Sequence, residues 1–170
     1  MSGHILDAGV GTGRNFRFYP AGASVLGIDL SPAMLAHAER RRALASAPVE
    51  LRRMDVTALD LPAASLDAAV ATFLFCVLPE ELQVPALREL GRVVKPRGEI
   101  RLLEYVRPTG ALRRIITKIW EPWVGWAYGA SFDRDTEAHV PEAGLELVDA
   151  RFAVDDLIRL ITARVPVLAA

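Results

Sequence analysis

The sequence predicts an α/β fold: a doubly wound, mostly parallel sheet with helices on both faces and one antiparallel strand at its edge. Three observations carry this. Short apolar runs alternate with helically spaced segments along the 170 residues. The run Leu66–Thr72 is almost unbroken by polar side chains, as a strand covered on both faces should be. The tail holds two strand-like runs, residues 145–154 and 158–165, joined at Asp155-Asp156. A parallel crossover needs about a dozen residues, so this last pair must be an antiparallel hairpin.

Each element follows in order. His4-Ile5-Leu6-Asp7 is a short strand running into Gly9-Val10-Gly11-Thr12-Gly13, and a brief helix then stops near Tyr19-Pro20. Residues 24–29 form the second strand. Ser31-Pro32 supplies an N-cap with proline at the first helical position. The helix behind it carries Met34, Leu35 and Ala38 on one side and a polar run at 39–42. Residues 49–54 and Leu66–Thr72 are the third and fourth strands. Helical spacing returns at Leu82, Leu87, Leu90 and Val94 until Lys95-Pro96-Arg97-Gly98 stops it, and residues 99–106 are the fifth strand. With the terminal hairpin the sheet has seven strands. Neither a repeat nor a linker interrupts residues 1–170, which predicts a single domain.

Composition excludes several function classes. Apolar residues make up 52% and charged residues 24%, too apolar for disorder. Twenty basic against twenty-one acidic side chains give a net charge of -1, so a chain-wide basic footprint for nucleic acid is missing. Cys76 is the single cysteine, which leaves no internal disulfide or multi-cysteine zinc site and suits a reducing cytoplasm. His4, His37 and His139 lie far apart and give no metal-binding spacing, so no metal is expected. The longest apolar stretch, residues 66–78, is too short to span a bilayer. Asp7 and the glycine loop occupy the place of a signal peptide's apolar region. A cytoplasmic location is expected.

The chemistry gathers at the first turn. Strand, glycine-rich turn and helix make a cradle for a nucleotide-like ligand, because backbone N–H groups are approachable where side chains are absent. The dinucleotide fingerprint G-x-G-x-x-G fails in both registers, since its third glycine would fall at Arg14 or Phe16. What stands here is Asp7, Gly9, Gly11 and Gly13 at alternate positions. Asp29 ends the second strand, where a carboxylate can accept hydrogen bonds from two ribose hydroxyls, and Asp55 ends the third, within reach of the same crevice. Taken singly, the loop is a common turn, Asp29 a helix cap and Asp55 the start of a turn. Three acidic residues at the ends of three successive strands are much harder to explain that way.

The set resembles the binding motifs of class I S-adenosylmethionine (SAM)-dependent methyltransferases, with their Rossmann-like fold. Leu6-Asp7-Ala8-Gly9-Val10-Gly11-Thr12-Gly13 resembles the first motif. The stretch Val25-Leu26-Gly27-Ile28-Asp29-Leu30-Ser31-Pro32-Ala33-Met34-Leu35 resembles the second strand and helix of the ubiquinone and menaquinone biosynthesis type. Leu66-Asp67-Ala68-Ala69-Val70 and Arg92-Val93-Val94-Lys95-Pro96-Arg97-Gly98 resemble the fourth strand and the turn into the fifth. Gly13-Arg14-Asn15-Phe16-Arg17-Phe18-Tyr19-Pro20, Thr72-Phe73-Leu74-Phe75-Cys76-Val77 and Leu103-Glu104-Tyr105-Val106 are similar to methyltransferase-like thiol S-methyltransferases. Bacterial phospholipid N-methyltransferases share the layout. The resemblance implies SAM as cofactor, with Gly9, Gly11 and Gly13 near its methionine part, Asp7 at its amino end, Asp29 at the ribose, Asp55 and Val56 at the adenine, and Leu30 and Thr72 among the other cofactor-binding residues. It also implies a small apolar or amphiphilic acceptor: a quinol precursor, a thiol or a lipid amine.

Methyl transfer from a sulfonium asks a protein mainly to position the acceptor and exclude water. A base is useful only if the acceptor must lose a proton. The candidates are Tyr19, Glu104, Tyr105, Asp133 and His139, none with a spacing argument behind it. Residues 107–135 read as an insertion after the fifth strand, a lid over the crevice. Its helical spacing, Trp120, Trp123, Trp126 and nearby Arg113, Arg114 and Lys118 also allow peripheral membrane contact through 111–128, or plain core packing. The family's usual N-terminal cap is missing before Gly9, and Arg97 stands where glycine is common. An alternative is therefore a catalytically silent subunit of this fold that completes or regulates a partner. A nicotinamide-dependent oxidoreductase is disfavoured by the failed fingerprint, and nucleic-acid methylation by the lack of its motifs. The oligomeric state is open.

Overall fold

The computed structural model describes residues 3–106 and 135–167. The membrane-contact segment and the expected lid up to residue 134, with Asp133 and the three tryptophans, lie outside the described residues; Asp135, the last residue of the expected lid, is described.

The sheet has seven strands in the order β3-β2-β1-β4-β5-β7-β6. The strands are β1 (Gly3–Ala8), β2 (Ala23–Asp29), β3 (Val49–Arg53), β4 (Leu66–Thr72), β5 (Val94–Tyr105), β6 (Glu146–Val154) and β7 (Ile158–Arg164). Central β1 pairs in parallel with β2 on one side (Ile5↔Val25) and β4 on the other (Ile5↔Ala68). The chain thus winds outward from β1 to β3, then crosses back to β4. The carboxyl ends of β1 and β4 flank the point where the order reverses, which is where open α/β sheets place a binding crevice.

The terminal hairpin supplies the expected reversal. Its second strand, β7, is the reversed one and pairs with β5 (Leu102↔Ile161), while β6 forms the outer edge. The antiparallel strand therefore sits one place in from the rim. The helix α3 (Thr136–Glu142) before β6, capped by the Asp135 side chain, carries the chain to the rim before the hairpin folds it back.

Helix α1 (Pro32–Arg41) begins at Ser31, whose hydroxyl accepts the Met34 N–H at 3.3 Å. Helix α2 (Glu80–Val93) buries Gln83, Ala86, Leu87, Leu90 and Val93 along one stripe. Alternation along the strands divides the core between the two faces. Leu6, Ile100 and Leu102 pack with α2, whereas Ile5, Val25 and Phe16 pack with Ala38 of α1. Burying each such large side chain contributes roughly 1.5–3 kcal/mol.

Two local readings differ from the sequence expectation. The helix after the glycine loop is a single 3₁₀ turn, Phe16–Phe18. The segment around Arg97 is an irregularity inside β5, where the register on β4 jumps between Leu66↔Val94 and Ala68↔Glu99. Arg97 adopts φ +67° there, and its N–H donates to Val165 O at 2.8 Å. The left-handed backbone explains why glycine would be at ease in that place.

Candidate active site

The glycine loop turns the chain sharply at the top of β1. Val10 N–H donates to Ile28 O and Gly13 N–H to Val10 O, both at 2.9 Å. Gly9, Gly11 and Gly13 all have positive φ, at 66°, 53° and 76°. The space around them differs. A Cβ on Gly9 would fall 2.8 Å from Leu74 Cδ1, and one on Gly13 would fall 2.5 Å from the Phe16 ring. On Gly11 it would meet nothing closer than Gly9 O at 3.9 Å. Two glycines let the loop pack downward; the middle one leaves its upper face open.

Side chains fasten this loop from three elements. Asp29, at the end of β2 and half-buried, accepts the Gly11 N–H through Oδ2 at 2.9 Å and the Ser31 N–H through Oδ1 at 2.8 Å. Its carboxylate therefore caps the start of α1 and holds the loop at once. Asn15 Nδ2 lies 3.3 and 3.4 Å from the Asp7 oxygens and donates to Thr72 Oγ1 at 3.2 Å, joining the ends of β1 and β4. Arg41, from the last turn of α1, donates to Thr12 O at 2.8 Å and to the Thr12 hydroxyl. In the sequence Asn15 stands only as part of a longer motif, and the end of α1 looks like polar surface. An amide just past the last glycine was the available signal for Asn15; nothing local marked Arg41.

Asp7 has no exposed surface, and burial pushes its carboxyl up to about 7 against the pull of the Tyr19 hydroxyl and the Asn15 amide. The Tyr19 hydroxyl is buried beside it and reaches no partner at bonding geometry among the described residues. Burial, then the negative charge of Asp7, drives the phenol pKa upward, so Tyr19 keeps its proton. Asp55 Oδ1 accepts the N–H and the hydroxyl of Thr57, both at 2.8 Å, a side-chain turn at the end of β3. Met54 N–H donates to Asp29 O at 3.3 Å, which keeps the ends of β2 and β3 together. Val56 is buried, and Leu30, on the outer rim, is 54% exposed.

The other base candidates are held in the frame. Glu104 is fully buried; Oε1 accepts the N–H groups of Leu74 and Phe75 at 3.0 and 3.1 Å, and Oε2 accepts that of Cys76 at 3.1 Å. Burial pushes Glu104 up to about 7, with the three N–H groups pulling the other way. Cys76 is buried and its thiol is pushed up to about 12, first by burial and then by Glu104. Tyr105 stacks on Phe73 with ring centroids 4.6 Å apart, and Phe73 takes φ +56°. His139 links α3 to α2 through Gln83 Oε1 at 3.2 Å and Glu80 Oε1 at 3.0 Å. Tyr105 meets the wall of the crevice through its stack on Phe73.

A cleft of about 610 Å³ opens between the glycine loop and Thr72 and Phe73 at the end of β4, continuing past Arg17, Phe18, Arg41 and Leu44. It brings Gly9, Gly11, Gly13 and Thr72 together. Asp29, Leu30, Asp55 and Val56 stand beyond its lining, at the ends of β2 and β3, with Asp29 joined to it through Gly11. Among the described residues no cluster of three or more metal-ligating side chains forms.

Comparison with known proteins agrees with this geometry. The family described as "Methyltransferase domain" matches residues 5–98. A phosphatidylethanolamine N-methyltransferase of Cereibacter sphaeroides is 35% identical over 140 residues, 79% of this chain and 68% of that protein. The ubiquinone/menaquinone biosynthesis C-methyltransferase UbiE of Syntrophotalea carbinolica is 37% identical over 116 residues, 65% of this chain. The chain spans about half of that relative's length, 47%. Among solved structures, a SAM-dependent methyltransferase of Methanosarcina mazei superposes with a TM-score of 0.78 at 20% identity, covering 96% of this chain and 92% of that one.

Proposed function

The chain belongs to the class I SAM-dependent methyltransferases, and from that premise we propose that its crevice holds SAM beside Gly11 and Asp29 and delivers the methyl group to a small apolar or amphiphilic acceptor. The observation that carries the reading is the pairing of an open glycine face with a carboxylate bound to its N–H. The residues present fit the cofactor. Gly11 lets backbone approach the ligand closely. Each Asp29 oxygen accepts one backbone bond and keeps capacity for another, which suits the two hydroxyls of a ribose. Leu30, Asp55 and Val56 at the neighbouring strand ends suit the adenine side, and Asp7, Asn15 and Thr72 the amino-acid end.

Bound SAM supplies an activated methyl on a sulfonium. The chain's own residues orient and shield. Asn15 and Arg41 keep the loop in one shape, and Phe73, stacked on Tyr105, gives an apolar wall where an acceptor can approach without water. No buried base is required. Tyr19 holds its proton, and both oxygens of Glu104 are engaged by the 73–76 turn, so these two groups serve the frame.

Among acceptors we favour a lipid amine over a quinol precursor or a thiol, on the likeness to the phosphatidylethanolamine N-methyltransferase. No described helix is long and apolar enough to cross a membrane. The test is transfer of labelled methyl from SAM to each acceptor class, presented in detergent micelles. Label in the lipid amine supports the reading, and label only in quinol or thiol moves the assignment. Transfer to none of them contradicts it.

A further inference from the structure

The arm of the cleft beyond the glycine loop carries a charge that the methyl-transfer reading uses only through the hold of Arg41 on Thr12. Arg14, Arg17 and Arg41 line it, and no acidic residue does. Arg41 is half-buried, and its only hydrogen bonds among the described residues run from one guanidinium nitrogen to Thr12. Arg14 is exposed and makes no ion pair among the described residues. Arg17 lies over the Phe18 ring at 4.7 Å from its centroid. Two apolar side chains line the same arm, Phe18 at 70% and Leu44 at 66% exposure.

A half-buried guanidinium with no counter-charge is costly, and three cations around a concave surface focus a positive field into it. Guanidinium forks match a pair of oxygens of a phosphate or carboxylate, and the adjoining Phe18 and Leu44 favour a hydrocarbon segment. The whole chain carries a charge of only -1, so this is a local feature, not a property of the surface at large. Resting on the reading above, we propose that this arm is an anion subsite for the acceptor: it takes the phosphate or carboxylate group of an amphiphile whose apolar part lies along Phe18 and Leu44. Such a subsite would select acceptors bearing a negative charge and an alkyl or isoprenoid portion, and would disfavour cationic or purely polar ones.

The experiment is calorimetric titration of the full chain with monomeric dodecyl phosphate, alongside dodecyl maltoside and inorganic phosphate, each with and without saturating S-adenosylhomocysteine. The variant is Arg14→Glu with Arg17→Glu, two exposed positions, checked for an unchanged melting temperature. The expected result is dodecyl phosphate binding at least tenfold tighter than either control and at least tenfold weaker in the double variant. Binding should persist when S-adenosylhomocysteine is present. Equal binding of dodecyl phosphate and dodecyl maltoside overturns the proposal. So does complete displacement by S-adenosylhomocysteine, which would give the arginines to the cofactor's own carboxylate. Phosphatidylglycerol vesicles distinguish the source of the anion: retention on vesicles without binding of the monomer would also overturn the subsite, leaving a surface that rests on lipid. If S-adenosylhomocysteine fails to bind the native chain while dodecyl phosphate binds as expected, the cofactor reading falls and the anion subsite stands.

Discussion

Asp29 Oδ2 accepts the backbone N–H of Gly11 at 2.9 Å, so the carboxylate that ends β2 holds the middle glycine of the loop that follows β1. The two features read separately in the sequence are one unit. The other oxygen caps Ser31 N–H, so the same side chain also sets where α1 begins.

Asp29→Ala should therefore act twice. S-adenosylhomocysteine affinity should fall by about 1–3 kcal/mol, the cost of losing charge-assisted hydrogen bonds, and the melting temperature should fall as the loop and helix start lose their acceptor. Asp29→Asn keeps one acceptor oxygen and should lie between. Calorimetry and thermal melts on both variants check this.

The glycines should separate by their surroundings. Gly13→Ala drives a methyl into the Phe16 ring and should cost stability heavily. Gly11→Ala meets open space and should cost only about 1 kcal/mol for its positive φ, while weakening the cofactor complex by narrowing the approach. Comparable melting losses for the two would contradict the assignment of the open face.

Stability should fall as pH rises through neutrality. Asp7 and Glu104 are raised from 3.8 and 4.5 to about 7 by burial, so between those values the folded chain holds protons that the unfolded chain releases. Their contribution is complete below pH about 4 and lost above about 7, roughly 3–4 kcal/mol each. Glu104→Gln should remove roughly half of that slope, measured as melting temperature between pH 5 and pH 8.

Asn15→Ala removes the amide that lies 3.3 and 3.4 Å from the Asp7 oxygens. The loss should be about 1–3 kcal/mol at pH 8, where the carboxylate is ionised, and smaller at pH 5, where it holds its proton. A pH-independent loss would mean that Asn15 matters through Thr72 alone.

Much of the fold is legible in the sequence because it rests on period and punctuation. The buried run Leu66–Thr72, the Ser31-Pro32 cap and the hairpin at Asp155-Asp156 each follow from local chemistry. The alternating glycines mark the loop for the same reason, since left-handed backbone favours them. What stays hidden depends on residues far apart in the chain. Arg41 reaches Thr12 across 29 positions, and Glu104 meets the 73–76 turn across about 30, through the pairing of β4 with β5. The cleft's arginines likewise become a cluster only when the 3₁₀ turn and the end of α1 face each other. The brief helix after the loop shrank to one turn because the chain must reach β2 within a few residues of Phe18.

Function in this chain rests on the cofactor crevice. Titration of the purified chain with S-adenosylhomocysteine, with NADH as control, tests it most directly. Micromolar binding of the first, none of the second, and clear weakening by Asp29→Ala are the predicted results. A chain that melts cooperatively yet binds neither ligand, or binds S-adenosylhomocysteine equally well without Asp29, would contradict it.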